Sequence, residues 1–220
     1  ALEFSVKASK LGLQPIIGCT LEVELETMEE GDDQPVAIAR GSSQEATKVR
    51  PILLFLCSNE QGYANLMKLV SMAYQVNAGL SRPHITLEQM QVHSEGLIVL
   101  SGGPGGVLNT ALTNGQNDLF DQRLDTLTTL YGDRFYVELQ RHEGYARAVE
   151  TKLVEAAYAN NVPLVATNEA YFPKREDYEA HDALICIAEG RVVAEDDRRR
   201  LTPDHYLKTS TEMSNLFSDL

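Results

Sequence analysis

A chain of 220 residues with a formal net charge of −13 can bury the core of one large α/β domain or two small ones. It is too acidic to hold phosphate backbones unaided, because that affinity rests on lysine and arginine displacing counterions. Hydrophobic residues at 43% and charged residues at 23% are an ordinary globular balance, and no apolar run approaches the roughly 20 residues that span a bilayer. The opening ALEFSVKASKLGLQPIIG lacks the apolar centre and cleavage site of an export signal, so the cytoplasm is the default compartment.

In chain order, the first ten residues read as the second half of a helix. Leu2, Val6 and Ser9 share a face, and Lys10-Leu11-Gly12 is a stop signal. With no cap before it, this helix is expected to continue from preceding sequence. Pro15 to Thr20 reads as a buried strand, prolonged by strict alternation from Leu21 to Glu26. Between Glu29 and Lys48, Pro35 to Ala39 suggests an edge strand with flexible flanks. Ile52 to Cys57 is a second buried strand, followed by a helix with Tyr63, Leu66, Met67, Val70 and Tyr74 on one face. After Leu80 to Pro83 come a short helix from Leu87 to Val92 and a strand from Gly96 to Ser101. A helix from Leu119 to Tyr131 turns Phe120, Leu124 and Leu127 inward, and Arg134 to Leu139 is a strand. A helix from Tyr145 to Asn160 (Val149, Leu153 and Ala156 or Ala157 inward), a strand from Leu164 to Thr167 and a helix from Glu176 to Ala188 follow. Tyr206 to Lys208 and a short helix led by Ser210, with Glu212 supplying capping chemistry, close the chain. Strands alternating with crossover helices predict a parallel, barrel-like α/β domain.

The candidate chemistry is sparse. Cys19, Cys57 and Cys186 form no C-x-x-C pair and read as buried free thiols. Gly102 to Gly106 is the nearest approach to a phosphate cradle, but Pro104 removes an amide donor, and a plain loop is the preferred reading. Ser101 lacks a G-x-S-x-G elbow and reads as a turn hydroxyl. Asp32-Asp33 and Asp196-Asp197 read as solvated pairs, and the run through Arg198, Arg199 and Arg200 as a solvated or salt-bridged face. His84, His93, His181 and His205 read as surface or capping residues. His142, after a strand, could join Glu22 and Glu169 in a metal site, a weak signal with one imidazole and two carboxylates.

Several segments together resemble a known family. Leu2-Glu3-Phe4 with Lys7-Ala8 and Gly12 to Gly18, Asn59 to Leu69 (NEQGYANLMKL), Glu95 to Gly102 (EGLIVLSG), Phe135 to His142, Ala166 to Ile187, and Tyr206 to Ser210 with Glu212-Met213 and Phe217 occur in the order seen in the PHP (polymerase and histidinol phosphatase) domain of the bacterial DNA polymerase III alpha subunit. The resemblance implies a distorted (β/α)7 TIM-like barrel over residues 1–204, incomplete at its N-terminus. Residues 205–220 would begin the connection towards the polymerase palm.

Family members that keep a metal site gather ligands from strand ends. The H-x-H pair and the next Asp and His elements would precede Ala1. The remaining positions correspond to Thr20 for glutamate, Ile52 for histidine, Gly103 for cysteine, and Glu169 and Tyr171 for the Asp and His of A-T-N-D-x-H. Neutral tyrosine is a poor ligand for zinc or manganese. The resemblance therefore implies a vestigial site with no cofactor and no enzymatic activity in this segment. The nucleotidyltransferase aspartates would belong to the palm of the parent DNA-directed DNA polymerase. Implied partners are the rest of the alpha subunit and the separate proofreading exonuclease subunit, with no direct DNA binding and no membrane. The rival readings are a metal-dependent phosphoesterase or pyrophosphatase of the same superfamily and a free-standing amidohydrolase-like barrel.

Overall fold

The computed structural model describes residues 2–25, 50–75 and 82–220. The expected edge strand at Pro35 to Ala39, the Asp32-Asp33 pair and Leu80-Ser81 lie outside them. Helix α1 (Leu2–Lys10) ends where expected. Gly12 takes φ +76°, and Leu13 N–H returns to Ala8 O at 3.0 Å, a glycine-dependent C-terminal stop. Its predicted inward face does not form. Ala8 alone is buried, while Leu2 and Val6 are exposed.

Strand β1 (Gly18–Glu24) and strand β2 (Ile52–Cys57) lead to helix α2 (Glu60–Gln75). Strand β3 (His84–Thr86), which the sequence did not signal, runs into helix α3 (Leu87–Val92) through a capping box between Thr86 and Gln89. Strand β4 (Leu97–Leu100), helix α4 (Val107–Thr113), helix α5 (Asn117–Tyr131), strand β5 (Phe135–Leu139), helix α6 (Arg147–Ala159), strand β6 (Leu164–Ala166), helix α7 (Tyr178–Glu189) and helix α8 (Ser210–Leu216) complete the order. Helix α4 was also unforeseen. It is short, and four glycines precede it within five residues.

The described strands form one six-stranded sheet in the order β3-β1-β2-β4-β5-β6. The all-parallel barrel expected from the alternation is corrected here. Strand β2 is antiparallel to both β1 and β4, and β3 and β6 stand at opposite ends of an open sheet. The pairings β1–β3, β4–β5 and β5–β6 are parallel. Apolar runs report burial on two faces and carry no information on strand direction, so the reversal of β2 was invisible in the sequence.

One sheet face is the core. Leu21, Val23, Leu53, Phe55, Leu97, Val99, Phe135 and Val137 are buried against Leu66 and Leu69 of α2, Val107 and Leu108 of α4, Phe120, Leu124 and Leu127 of α5, and Leu153 of α6. Helix α2 is rotated from its predicted aspect. Tyr63, Met67 and Tyr74 are exposed, whereas Gly62, Asn65, Leu66, Leu69 and Ala73 are buried. The cause is local: Gly62 abuts the backbone of Gly96, and Asn65 Nδ2–H donates to Glu95 O at 2.9 Å. Among the described residues no helix is long and apolar enough to cross a membrane.

Candidate functional site

The register fixes which residues share the other face. Thr20 is opposite Leu54, Glu22 opposite Ile52, Leu54 opposite Leu100, Leu100 opposite Tyr136, and Glu138 opposite Val165. Paired residues project to the same side. Thr20, Ile52 and Glu138 therefore lie on the face away from α2, α4, α5 and α6. The C-terminal ends of β1, β4, β5 and β6 and the start of β2 make a common rim, and the resemblance places its ligands there.

Those positions are chemically poor. Thr20 is exposed. Ile52 pairs with Gly106 and packs its Cδ1 beside Gly105, putting hydrocarbon against the glycine loop. Gly102 takes φ +91° beneath the Ile52 carbonyl, where a Cβ would come within 2.3 Å of the oxygen. Gly103, also left-handed at φ +56°, faces the Gln140 carboxamide, and a Cβ there would lie 2.8 Å from its carbon. Glu169 and Tyr171 satisfy each other, since the Tyr171 hydroxyl donates to Glu169 Oε1 at 2.5 Å. Burial and then the Glu169 hydrogen bond raise the Tyr171 phenol above its ordinary value, which keeps it protonated.

The sequence reading missed Glu138. It is 3% exposed, and its carboxylate is the centre of a closed network. Oε2 accepts Gly102 N–H at 3.0 Å; Oε1 accepts the Thr167 hydroxyl at 2.5 Å and Gln140 Nε2–H at 3.1 Å. Three donors offset the cost of removing a carboxylate from water. The glycine loop thus receives an anion from its own chain, which leaves the phosphate-cradle reading without a free amide at Gly102. Ser101, fully buried, accepts Glu138 N–H at 2.9 Å, so its hydroxyl has a structural partner. Alternation gave Glu138 away only as a polar residue in an apolar strand.

The three-residue metal hypothesis is not assembled by the fold. Glu22 Oε1 is 2.6 Å from Arg82, Glu169 holds Tyr171, and His142 Nε2 meets Asn168 Oδ1 at 3.1 Å. Among the described residues no three His, Cys, Asp or Glu side chains converge as a metal site. Thr20, Ile52 and Gly103 bring no carboxylate, imidazole or thiolate to the rim, and Glu169 is bonded to Tyr171.

The histidines need correction too. His84 is buried on β3, its Nε2 3.0 Å from Glu24 Oε2, and His205 is buried with its ring stacked on His142 at 3.8 Å. Neither is a surface residue. His181 lies against Phe172 and Tyr171, with ring centroids 5.3 and 5.6 Å apart. His93 caps α3 as read. Of the three free thiols only Cys186 is buried. Cys19 and Cys57 are half-buried at the end of the β1–β2 ladder, and that burial still raises both above the ordinary thiol value.

Two arginines organise the C-terminal third. Arg198, inside the basic run, forms a fork with Asp182 at 2.6 Å on both oxygens. That ion pair holds the Asp182 carboxyl below its usual value. Arg141 is buried beyond β5. It contacts Glu150 at 2.7 Å, Asp219 at 2.6 Å and Leu216 O at 2.6 Å, and it covers the Phe217 ring at 4.6 Å. Hydrogen bonds to Glu150 and then Asp219 raise the Arg141 guanidinium and keep it charged. No local pattern announces a contact between β5 and a helix so distant in sequence.

Comparison with known proteins gives a consistent relationship. The PHP domain family matches residues 1–142. The DNA polymerase III subunit alpha of Caulobacter vibrioides is 44% identical over 222 residues, covering 100% of this chain and 18% of that protein. Those of Rickettsia bellii and Buchnera aphidicola are each 34% identical, again across 100% of this chain and over 17% and 18% of their own lengths. The chain spans less than a fifth of these relatives.

Proposed function

The chain belongs to the PHP domain family, and from that premise we propose that it serves DNA replication as a non-catalytic module of a polymerase III alpha-type polypeptide. In this reading it is a scaffold beside the polymerase domains, docks the proofreading exonuclease subunit, and has residues 205–220 as the connection towards the palm. Nucleotidyl transfer belongs to the larger polypeptide. The relatives named as that subunit support the setting. The observation that carries the non-catalytic part is the Glu169–Tyr171 hydrogen bond: at the position of an expected carboxylate–imidazole pair, a protonated phenol occupies the carboxylate. Hydrocarbon at Ile52 and the absence of a side chain at Gly103 support it, because loss of several ligands together removes a site that loss of one would only weaken.

Metal analysis of the purified chain, with a phosphodiester assay in manganese and in zinc, tests this. The expectation is substoichiometric metal and no turnover. Stoichiometric metal with turnover abolished by Glu169→Ala would instead establish the phosphoesterase reading. Docking is tested by calorimetric titration with the exonuclease subunit of the same organism; a folded chain that releases no heat and shows no pull-down argues against it.

A further inference from the structure

Residues 202–208 are bonded at several points to the segments that follow β5 and β6. Tyr171 N–H donates to His205 O and Leu207 N–H to Phe172 O, both at 2.9 Å. Glu143 N–H donates to Asp204 Oδ2 at 2.8 Å, and Arg175 pairs with the other Asp204 oxygen. At this junction His142 and His205 stack with ring planes 18° apart.

The amide of Asn168 fixes the proton on His142. Asn168 Nδ2–H donates to Tyr206 O at 2.6 Å, so its Oδ1 is the acceptor for Lys208 Nζ at 2.8 Å and for His142 Nε2–H. When neutral, His142 is therefore the tautomer with its proton on Nε2 and Nδ1 bare.

We propose that residues 202–208 form an acid-released strap, with the His142–His205 stack as its proton-sensitive catch. A proton on His142 Nδ1 makes a cation stacked against a second imidazole and sharing an acceptor with the Lys208 ammonium. Like charges this close in a half-buried site repel, and opening the strap separates them. The other groups around the stack do not cancel that charge. Asp204 is engaged by Arg175 and by the Glu143 amide, Glu169 by the Tyr171 hydroxyl, Tyr171 and Tyr206 present phenol rings, and His181 packs against Tyr171. Glu143 on the adjoining turn is exposed, and Arg141 is held by Glu150 and Asp219.

Burial, followed by His205 and Lys208, lowers His142 below its ordinary 6.5. For a base whose folded value is depressed, the closed form is favoured fully above 6.5, and that preference is lost as pH falls towards the folded value. The strap leads directly into α8, whose far end Arg141 clamps through Leu216 O and Asp219. Acid release thus frees one end of α8 while the other stays anchored.

Amide exchange measured by NMR on the whole chain tests this at about pH 7.5 and about pH 5.5, either side of imidazole's ordinary value. After correction for intrinsic exchange, Tyr171 and Leu207 amides are expected to lose protection at the lower pH, by at most about tenfold, the limit set by an opened imidazole of ordinary affinity about one unit above that pH. Val137 and Leu139 amides should hold theirs. His142→Phe keeps a stacked ring without a proton and should abolish the response. Unchanged strap protection while His142 is protonated overturns the proposal, as does a full response in His142→Phe. Should that variant leave the strap open at both pH values, the wild-type His142 ring titration decides. A midpoint below 6.5 coinciding with lost protection supports the catch, and one at or above 6.5 refutes it.

Discussion

Replacing Gly62 by alanine sets helix propensity against packing. Gly62 lies in the first turn of α2, where propensity alone predicts that alanine stabilises the protein by up to about 1 kcal/mol. The tertiary contact predicts the reverse. An added Cβ would stand 1.8 Å from the Gly96 carbonyl oxygen and 2.5 Å from its carbon, both rigid backbone atoms. Relief requires α2 to lift from the 95–96 turn, breaking Asn65 Nδ2–H to Glu95 O at 2.9 Å and loosening Leu66 and Leu69 in the core. Overpacking costs roughly 1–3 kcal/mol, and the lost buried hydrogen bond adds about 1 kcal/mol. Less the propensity gain, Gly62→Ala should destabilise by roughly 1–3 kcal/mol. Urea denaturation followed by far-ultraviolet circular dichroism measures it. Gly115→Ala is the control: φ is +73° but nothing lies within 4 Å, so it should cost only the left-handed backbone strain of roughly 1–2 kcal/mol. If Gly62→Ala is as stable as wild type or more so, the close approach of α2 to Gly96 is wrong.

Glu138→Ala should destabilise by about 3 kcal/mol by leaving Gly102 N–H, the Thr167 hydroxyl and Gln140 with a buried void; urea midpoints check this, and loss below 1 kcal/mol would mean water replaces the carboxylate. Thr209→Ala removes the capping box of α8 and should cost about 1 kcal/mol locally, read as faster exchange of the Glu212 and Met213 amides with the core unaffected. Glu212, pulled down to about 2 by the Thr209 backbone N–H and then by the Tyr206 and Thr209 hydroxyls, has a depressed folded value. Its contribution to the cap is therefore present above the unfolded 4.5 and lost as pH falls through about 2, which side-chain carbonyl shifts will show. The double variant Glu169→Asp with Tyr171→His restores the family pair, yet should not gain stoichiometric zinc or manganese, because Ile52 and Gly103 still offer no donor; calorimetric titration of each metal tests it.

Much of the architecture was legible because it is local. Ile52–Cys57 and Leu87–Val92 match their predicted bounds, and most other predicted helices and strands begin and end within two or three residues of theirs. Continuous apolar runs, 3.6-residue periodicity and capping residues are written in adjacent positions. The residue types at Thr20, Ile52, Gly103 and Tyr171 were equally legible, since they are what they are wherever the chain places them. Salt bridging within the basic run was likewise visible in its composition, although not the partner, Asp182.

Tertiary structure decided direction, facing and pairing. Strand β2 reverses because pairing geometry depends on the whole path between strands, and no residue in Ile52–Cys57 records it. Helix α2 turns Tyr63, Met67 and Tyr74 outward because one glycine meets another glycine's backbone more than thirty residues away. The carboxylate of Glu138, the stack of His142 on His205 and the Arg141 clamp all join groups far apart in the chain. Sequence specifies which groups can donate, accept or fill volume. Only the folded chain brings partners within the few ångströms over which hydrogen bonds, charge and packing act.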